Sequence, residues 1–101
     1  MRFAVRVCFP NAESNEAIRT GKMGEALGAF VQKWRPEAVY FYLSHGKRGA
    51  TFFVNMDDAS QMPVLVEPFF MGLNAEVEVA PAMSLDDLKK GLAALENDMK
   101  R

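Results

Sequence analysis

The chain has 101 residues, half of them hydrophobic and a quarter charged, which is room for one domain of ordinary globular composition. Twelve Lys and Arg against thirteen Asp and Glu leave a net charge of −1, so there is no basic field to draw a phosphate backbone, and nucleic acid is not an expected partner. The lone cysteine, Cys8, has no partner for an internal disulfide, and no Cys/His spacing suggests a zinc site.

The longest run free of Asp, Glu, Lys and Arg is the nine residues from Ala38 to Gly46, far short of the ~20 that span a bilayer. Arg2 and Arg6 interrupt the N-terminal stretch MRFAVRVCFP where a signal peptide would be apolar. A cytoplasmic protein with no membrane partner, no metal and no cofactor is therefore expected.

In chain order, RFAVRVCF predicts a strand with Phe3, Val5, Val7 and Phe9 on one side and Ala4, Arg6 and Cys8 on the other, ended by Pro10 and Asn11. From about Asn15 to Trp34 the residues Met23, Leu27, Phe30, Val31 and Trp34 recur at helical spacing, and Arg35-Pro36 closes that helix. Gly21, Gly24 and Gly28 inside it suggest close packing against a sheet or a partner. They lie within the helical pattern instead of before it, so they do not form a phosphate loop.

Two strands follow, AVYFYLS (38–44) and ATFFVNM (50–56), joined by the five residues HGKRG as a hairpin loop. A second helix is capped by Asp58 or Ser60 and is expected to end near Glu67, ahead of Pro68. AEVEVA (75–80) is the fourth strand. Ser84 and Asp87 form a cap pair for a last helix to about Lys100, whose Leu85, Leu88, Leu92, Leu95 and Met99 keep the strict 3-4-3-4 spacing of a narrow seam.

The order is βαββαβ plus a C-terminal helix. It predicts an α+β, ferredoxin-like single domain over residues 1–101, with a four-stranded antiparallel sheet and helices on one face. Sorting the strands by parity places Phe3, Val5, Val7, Phe9, Val39, Phe41, Leu43, Phe52, Val54, Met56, Val77 and Val79 on the face under the helices. The other face collects Arg6, Cys8, Tyr40, Tyr42, Thr51, Phe53, Asn55, Glu76 and Glu78. That mixture of rings and charges is too apolar to stand in water and too polar for a closed core, which suggests cover by another subunit.

The segment EPFFMGLNAEVEVAPAMS, with the first strand and NMDDASQMPVLVEP, resembles in layout the dimeric α/β-barrel superfamily, specifically the small muconolactone-isomerase-like proteins, over roughly residues 1 to 83. The resemblance implies a homodimer, able to build into higher oligomers, whose two sheets enclose a barrel with a site inside or at its mouth. It also implies a small, aromatic or anionic organic ligand and, in an enzyme, cofactor-independent isomerase-like proton transfer. The competing expectation is a non-catalytic assembly or regulatory module with no ligand, its polar face filled by the partner.

The candidate ligand-binding residues are Arg6, Tyr40, Tyr42, Asn55 and Glu78, with His45 a weaker one. Arg6 either pairs with Glu76 or Glu78 on the neighbouring strand or receives an anion. The tyrosines offer rings and hydroxyls, and Asn55 needs a polar partner. His45 offers an imidazole for general acid or base work but sits at a hairpin tip, with Lys47 and Arg48 read as a solvated turn. Cys8 is read as a packing residue. A cavity of roughly 300 Å³ or more lined by Arg6, Tyr40, Tyr42 and Glu78 would favour the ligand-binding reading over the assembly module.

Overall fold

The computed structural model describes residues 1–101. Strand β1 (Arg2–Phe9) leads into helices α1 (Asn11–Thr20) and α2 (Lys22–Trp34). The hairpin β2 (Ala38–Ser44) and β3 (Lys47–Asn55) follows, then a 3₁₀ turn (Ala59–Gln61), helix α3 (Met62–Leu73), strand β4 (Glu76–Pro81) and helix α4 (Leu85–Met99). The four strands form one open antiparallel sheet in the order β2-β3-β1-β4, the ferredoxin-like topology.

The expected division of the sheet holds in the strand register. Val5 lies between Phe52 and Val79, and Val7 between Ala50 and Val77, on the helix side. Phe30 of α2 and Phe69 of α3 close over Phe52 with ring centroids 4.6 and 5.9 Å away, and Leu65 and Leu73 fill the remaining space. Those aromatic contacts anchor the helices to the sheet.

The helix layer does not reach the whole sheet. Phe41 and Leu43 of edge strand β2 point to the helix side yet remain 60% and 81% exposed. With Phe9, Met23 and Leu27 they line an open, largely apolar groove of about 370 Å³.

Four boundaries differ from the sequence expectation, each for a local reason. The long first helix is two, because Gly21 takes φ 80° and turns the chain after Thr20; the first begins at once behind Pro10. Gly24 and Gly28 face open space, and a Cβ on either would meet nothing within 4 Å, so they mark no close approach to the sheet. Helix α3 runs through Pro68 to Leu73, since burying Phe69 and Leu73 in the core outweighs the backbone bond that proline removes. Asn74, at φ 51°, then ends it.

The hairpin loop is two residues, not five. His45 and Gly46 both have positive φ, 53° and 77°, the backbone that matches tight hairpin loops to strand twist. Lys47 and Arg48 therefore belong to β3. Arg48 is no solvated turn residue: its Nη1 donates to Ser14 Oγ at 2.7 Å and to Asn15 Oδ1 at 2.8 Å, satisfying the buried hydroxyl of Ser14 and tying β3 to α1.

Both expected caps form. Asp58 accepts from the Ser60 amide and hydroxyl while Gln61 Oε1 accepts from the amide of Asp58, and Ser84 and Asp87 make the same reciprocal pair. These bonds stabilise the carboxylates, so Asp58 and Asp87 are held below the ordinary aspartate value of 3.8.

Helix α4 is set apart. None of its residues is buried, and no other element packs along it. The radius of gyration is 16.6 Å, against about 13 Å for a compact chain of 100 residues.

Two predictions follow from these local geometries. His45→Gly keeps or slightly raises stability, because glycine adopts positive φ freely, whereas His45→Val lowers it by about 1–2 kcal/mol in urea denaturation; equal stability of the two variants would contradict the turn geometry. Asp58 binds its proton less readily folded than unfolded, so its contribution is present above the ordinary value of 3.8 and lost as pH falls through the depressed folded value. Asp58→Asn should therefore lose less thermal stability than the unaltered protein between pH 7 and pH 3, and an unchanged acid loss would rule that cap out as a source of acid sensitivity.

Candidate functional site

On the open face of the sheet, near the hairpin, three strands bring chemistry-bearing residues together. The register sets Arg6 of β1 between Thr51 of β3 and Glu78 of β4, and sets Cys8 between Gly49 and Glu76. Tyr42 lies opposite Gly49 across β2 and β3. The resulting cavity, about 190 Å³, is lined by Arg6, Cys8, Tyr42, His45, Glu78 and their neighbours Val7, Ser44 and Glu76.

Arg6 Nη1 stands 3.9 Å from Glu78 Oε2, the cross-strand pair expected between antiparallel neighbours; Glu76 falls opposite Cys8 instead. Both partners are largely exposed, at 62% and 80%, so water and counterions screen the attraction and the pair contributes at most about 1 kcal/mol. The guanidinium keeps donors free for an incoming oxygen anion, and a carboxylate on a ligand would fit its planar fork.

Tyr42 is the most firmly positioned member. Its hydroxyl meets Thr51 Oγ1 at 2.5 Å, and its ring crosses Gly49, where a Cβ would stand 3.3 Å from Tyr42 Cε2. The missing side chain of Gly49 is what lets the ring lie down on the sheet. At the rim, Ser44 Oγ and His45 Nδ1 are 3.2 Å apart.

Of the residues read from the sequence, Arg6, Tyr42, Glu78 and His45 share this cavity, and Tyr40 and Asn55 do not line it. Tyr40 is exposed on the same face, opposite Thr51. Asn55 lies at the far end of the sheet, where its Oδ1 accepts from the N-terminal ammonium and its Nδ2 donates to Asp57 Oδ1 at 3.3 Å. Its polar partner is the chain's own start. The parity of β2 already puts Ser44 with Tyr42, whereas the supports Gly49 and Thr51 emerge only once the hairpin register is known.

A wider, open depression of about 610 Å³ flanks the N-terminus. Its charges are spoken for in part: the Arg2 Nε donates to Glu37 Oε1, and Arg2 Nη1 lies 3.5 Å from Asp87 Oδ2. The Glu37 bond, chiefly, raises the Arg2 pKa above its already high ordinary value. No group of three or more His, Cys, Asp and Glu side chains has a metal-binding arrangement, and no helix is long and apolar enough to cross a membrane.

No protein-family model matches the chain, and no curated protein matches it. Among solved structures, the chain is similar to the de novo designed protein Ferredog-Diesel, with a TM-score of 0.49 and 13% sequence identity over 80% of this chain and 85% of that one.

Proposed function

We propose that the protein is a cytoplasmic homodimer whose two open sheet faces meet in a dimeric α/β barrel and hold a small aromatic or anionic organic molecule against Arg6 and Tyr42. The observation that carries this reading is the convergence of Arg6, Tyr42, Glu78 and His45 on a sheet face with exposed tyrosine rings and no helix over it. The resemblance of the sequence in layout to muconolactone-isomerase-like proteins supports the same assembly.

The division of labour follows from the side chains. Arg6 receives the carboxylate, the Tyr42 ring stacks on the apolar part, and the Tyr42 hydroxyl, oriented by Thr51, fixes the pose. The reaction class these groups support is cofactor-independent proton transfer, as in an isomerisation, with Glu78 or His45 as base and the tyrosines orienting substrate.

The cavity of one protomer favours a second reading. At about 190 Å³ it falls short of the roughly 300 Å³ at which ligand pockets begin, and it lacks Tyr40. In that reading the chain is a non-catalytic assembly module, the polar face is filled by the partner, and Arg6 and Glu78 serve only each other.

Calorimetric titration with benzoate and with neutral benzamide separates the two readings. The ligand-binding reading predicts saturable benzoate binding that weakens roughly tenfold or more in Arg6→Met, since a charge-assisted bond is lost. Benzamide binding should be unchanged, and the urea stability of Arg6→Met should fall by no more than about 1 kcal/mol. Absence of benzoate binding, or equal binding by Arg6→Met, supports the assembly module instead.

A further inference from the structure

The C-terminal helix presents an apolar seam to nothing in its own chain. Leu85, Leu88, Leu92, Leu95 and Met99 are all exposed, and they occupy alternating a and d positions of two heptads, with Leu85 at a and Leu88 at d. A seam this narrow is the pattern of one helix receiving another, whereas a helix lying on a sheet needs a broader apolar face. An isolated helix of 15 residues is also marginal in water, so its length argues for a partner.

The residues flanking the seam select that partner. Lys89 and Glu96 hold the two e positions, one heptad apart. In an antiparallel pair of identical helices, e positions face e positions, so Lys89 meets the partner's Glu96 and Glu96 meets the partner's Lys89. In that register Leu92 packs on the partner's Leu95 and Leu88 on the partner's Met99, the two-fold axis passes level with Ala93 and Ala94, and on the other flank Gly91 lies beside the partner's Asp98. A parallel pair would instead set g positions against e positions, leaving Gly91 beside Glu96 with no charge complement. The existing Lys100–Glu96 contact, 3.7 Å and largely exposed, leaves Glu96 an oxygen for this second cation.

Surface area supports an obligatory cover. The chain exposes 7036 Å², whereas a compact 11.3 kDa protein exposes about 5,700 Å². The excess, roughly 1,300 Å², is larger than the ~800 Å² that each partner gives to a standard interface.

We infer that α4 docks antiparallel against α4 of a second copy of this chain, with the two-fold axis level with Ala93 and Ala94 and reciprocal Lys89–Glu96 pairs beside the leucine seam. The inference rests on the homodimer in the proposed function and on no part of its ligand chemistry. It gives that dimer a contact distinct from the sheet faces, and a closed dimer that uses both requires one two-fold axis to relate them.

The test is cysteine cross-linking in the full chain carrying Cys8→Ala. Because α4 makes no packed contact with the core, substitutions on it leave the domain folded. Under mild oxidation at micromolar concentration, an equal mixture of Gly91→Cys and Asp98→Cys chains is expected to give a mixed covalent dimer. Asp98→Cys alone stays single, because this pairing holds the two copies of residue 98 about 14 Å apart along the helix axis. Lys89→Glu in both chains lowers the yield of the mixed dimer roughly fivefold by setting like charges opposite each other, and adding Glu96→Lys restores it. Cross-linking of Asp98→Cys alone as readily as of the mixture would overturn the antiparallel arrangement. No cross-link in a protein that still has the mass of two chains would overturn this inference and leave the sheet-face dimer standing. No cross-link at the mass of one chain would overturn both.

Discussion

The pairing of β1 with β3, in register from Arg2 opposite Asn55 to Phe9 opposite Arg48, decides which side chains share a face, and the remaining structure depends on it. A slip of one residue would turn Val5, Val7, Phe52 and Val54 toward water and carry Arg6 and Thr51 beneath the helices. Burying those four residues, all at most 3% exposed, removes that alternative and pins the edge strands as well. Arg6 meets Glu78, and Tyr42 lies on Gly49, because no other register closes the core.

The same ladder explains why the molecule is finished on one side only. Helices α2 and α3 seal the centre of one face around Phe30, Phe52 and Phe69. On the other face Tyr40 and Tyr42 stand exposed beside ionic groups, and α4 leaves that end of the sheet with its leucines bare. The Arg2–Glu37–Asp87 cluster fixes where α4 departs, and beyond that point the helix is supported only by its own backbone and its Ser84 cap. Two unpartnered surfaces on one small chain have a common solution in a second copy.

Much of this was legible in the sequence because period-2 and period-3.6 patterns report burial directly. The strand RFAVRVCF, the ferredoxin-like order, both faces of the sheet and the Ser84 cap all came from alternation and capping chemistry. Local context was harder to read. Lys47 and Arg48 look like loop residues by type, yet Arg48 has a buried hydroxyl to satisfy, and only the position of Ser14 reveals it. Pro68 is a helix breaker in isolation, but Phe69 and Leu73 hold the helix through it. At the site, parity and strand adjacency were enough to put Arg6 beside the glutamates of β4 and to place Tyr42, whereas the choice of Glu78 over Glu76 needed the register. Asn55 lies apart from that cavity, against the N-terminal ammonium, a neighbour that no spacing pattern brings near residue 55.

In the proposed homodimer this chain is half of a symmetric assembly. Sedimentation equilibrium from about 1 to 100 μM measures it most directly. The account predicts a mass of twice 11.3 kDa through the upper part of that range. A mass of 11.3 kDa at every concentration would contradict it, leaving the exposed tyrosines and the leucine seam without the cover on which the structure has been argued to rest.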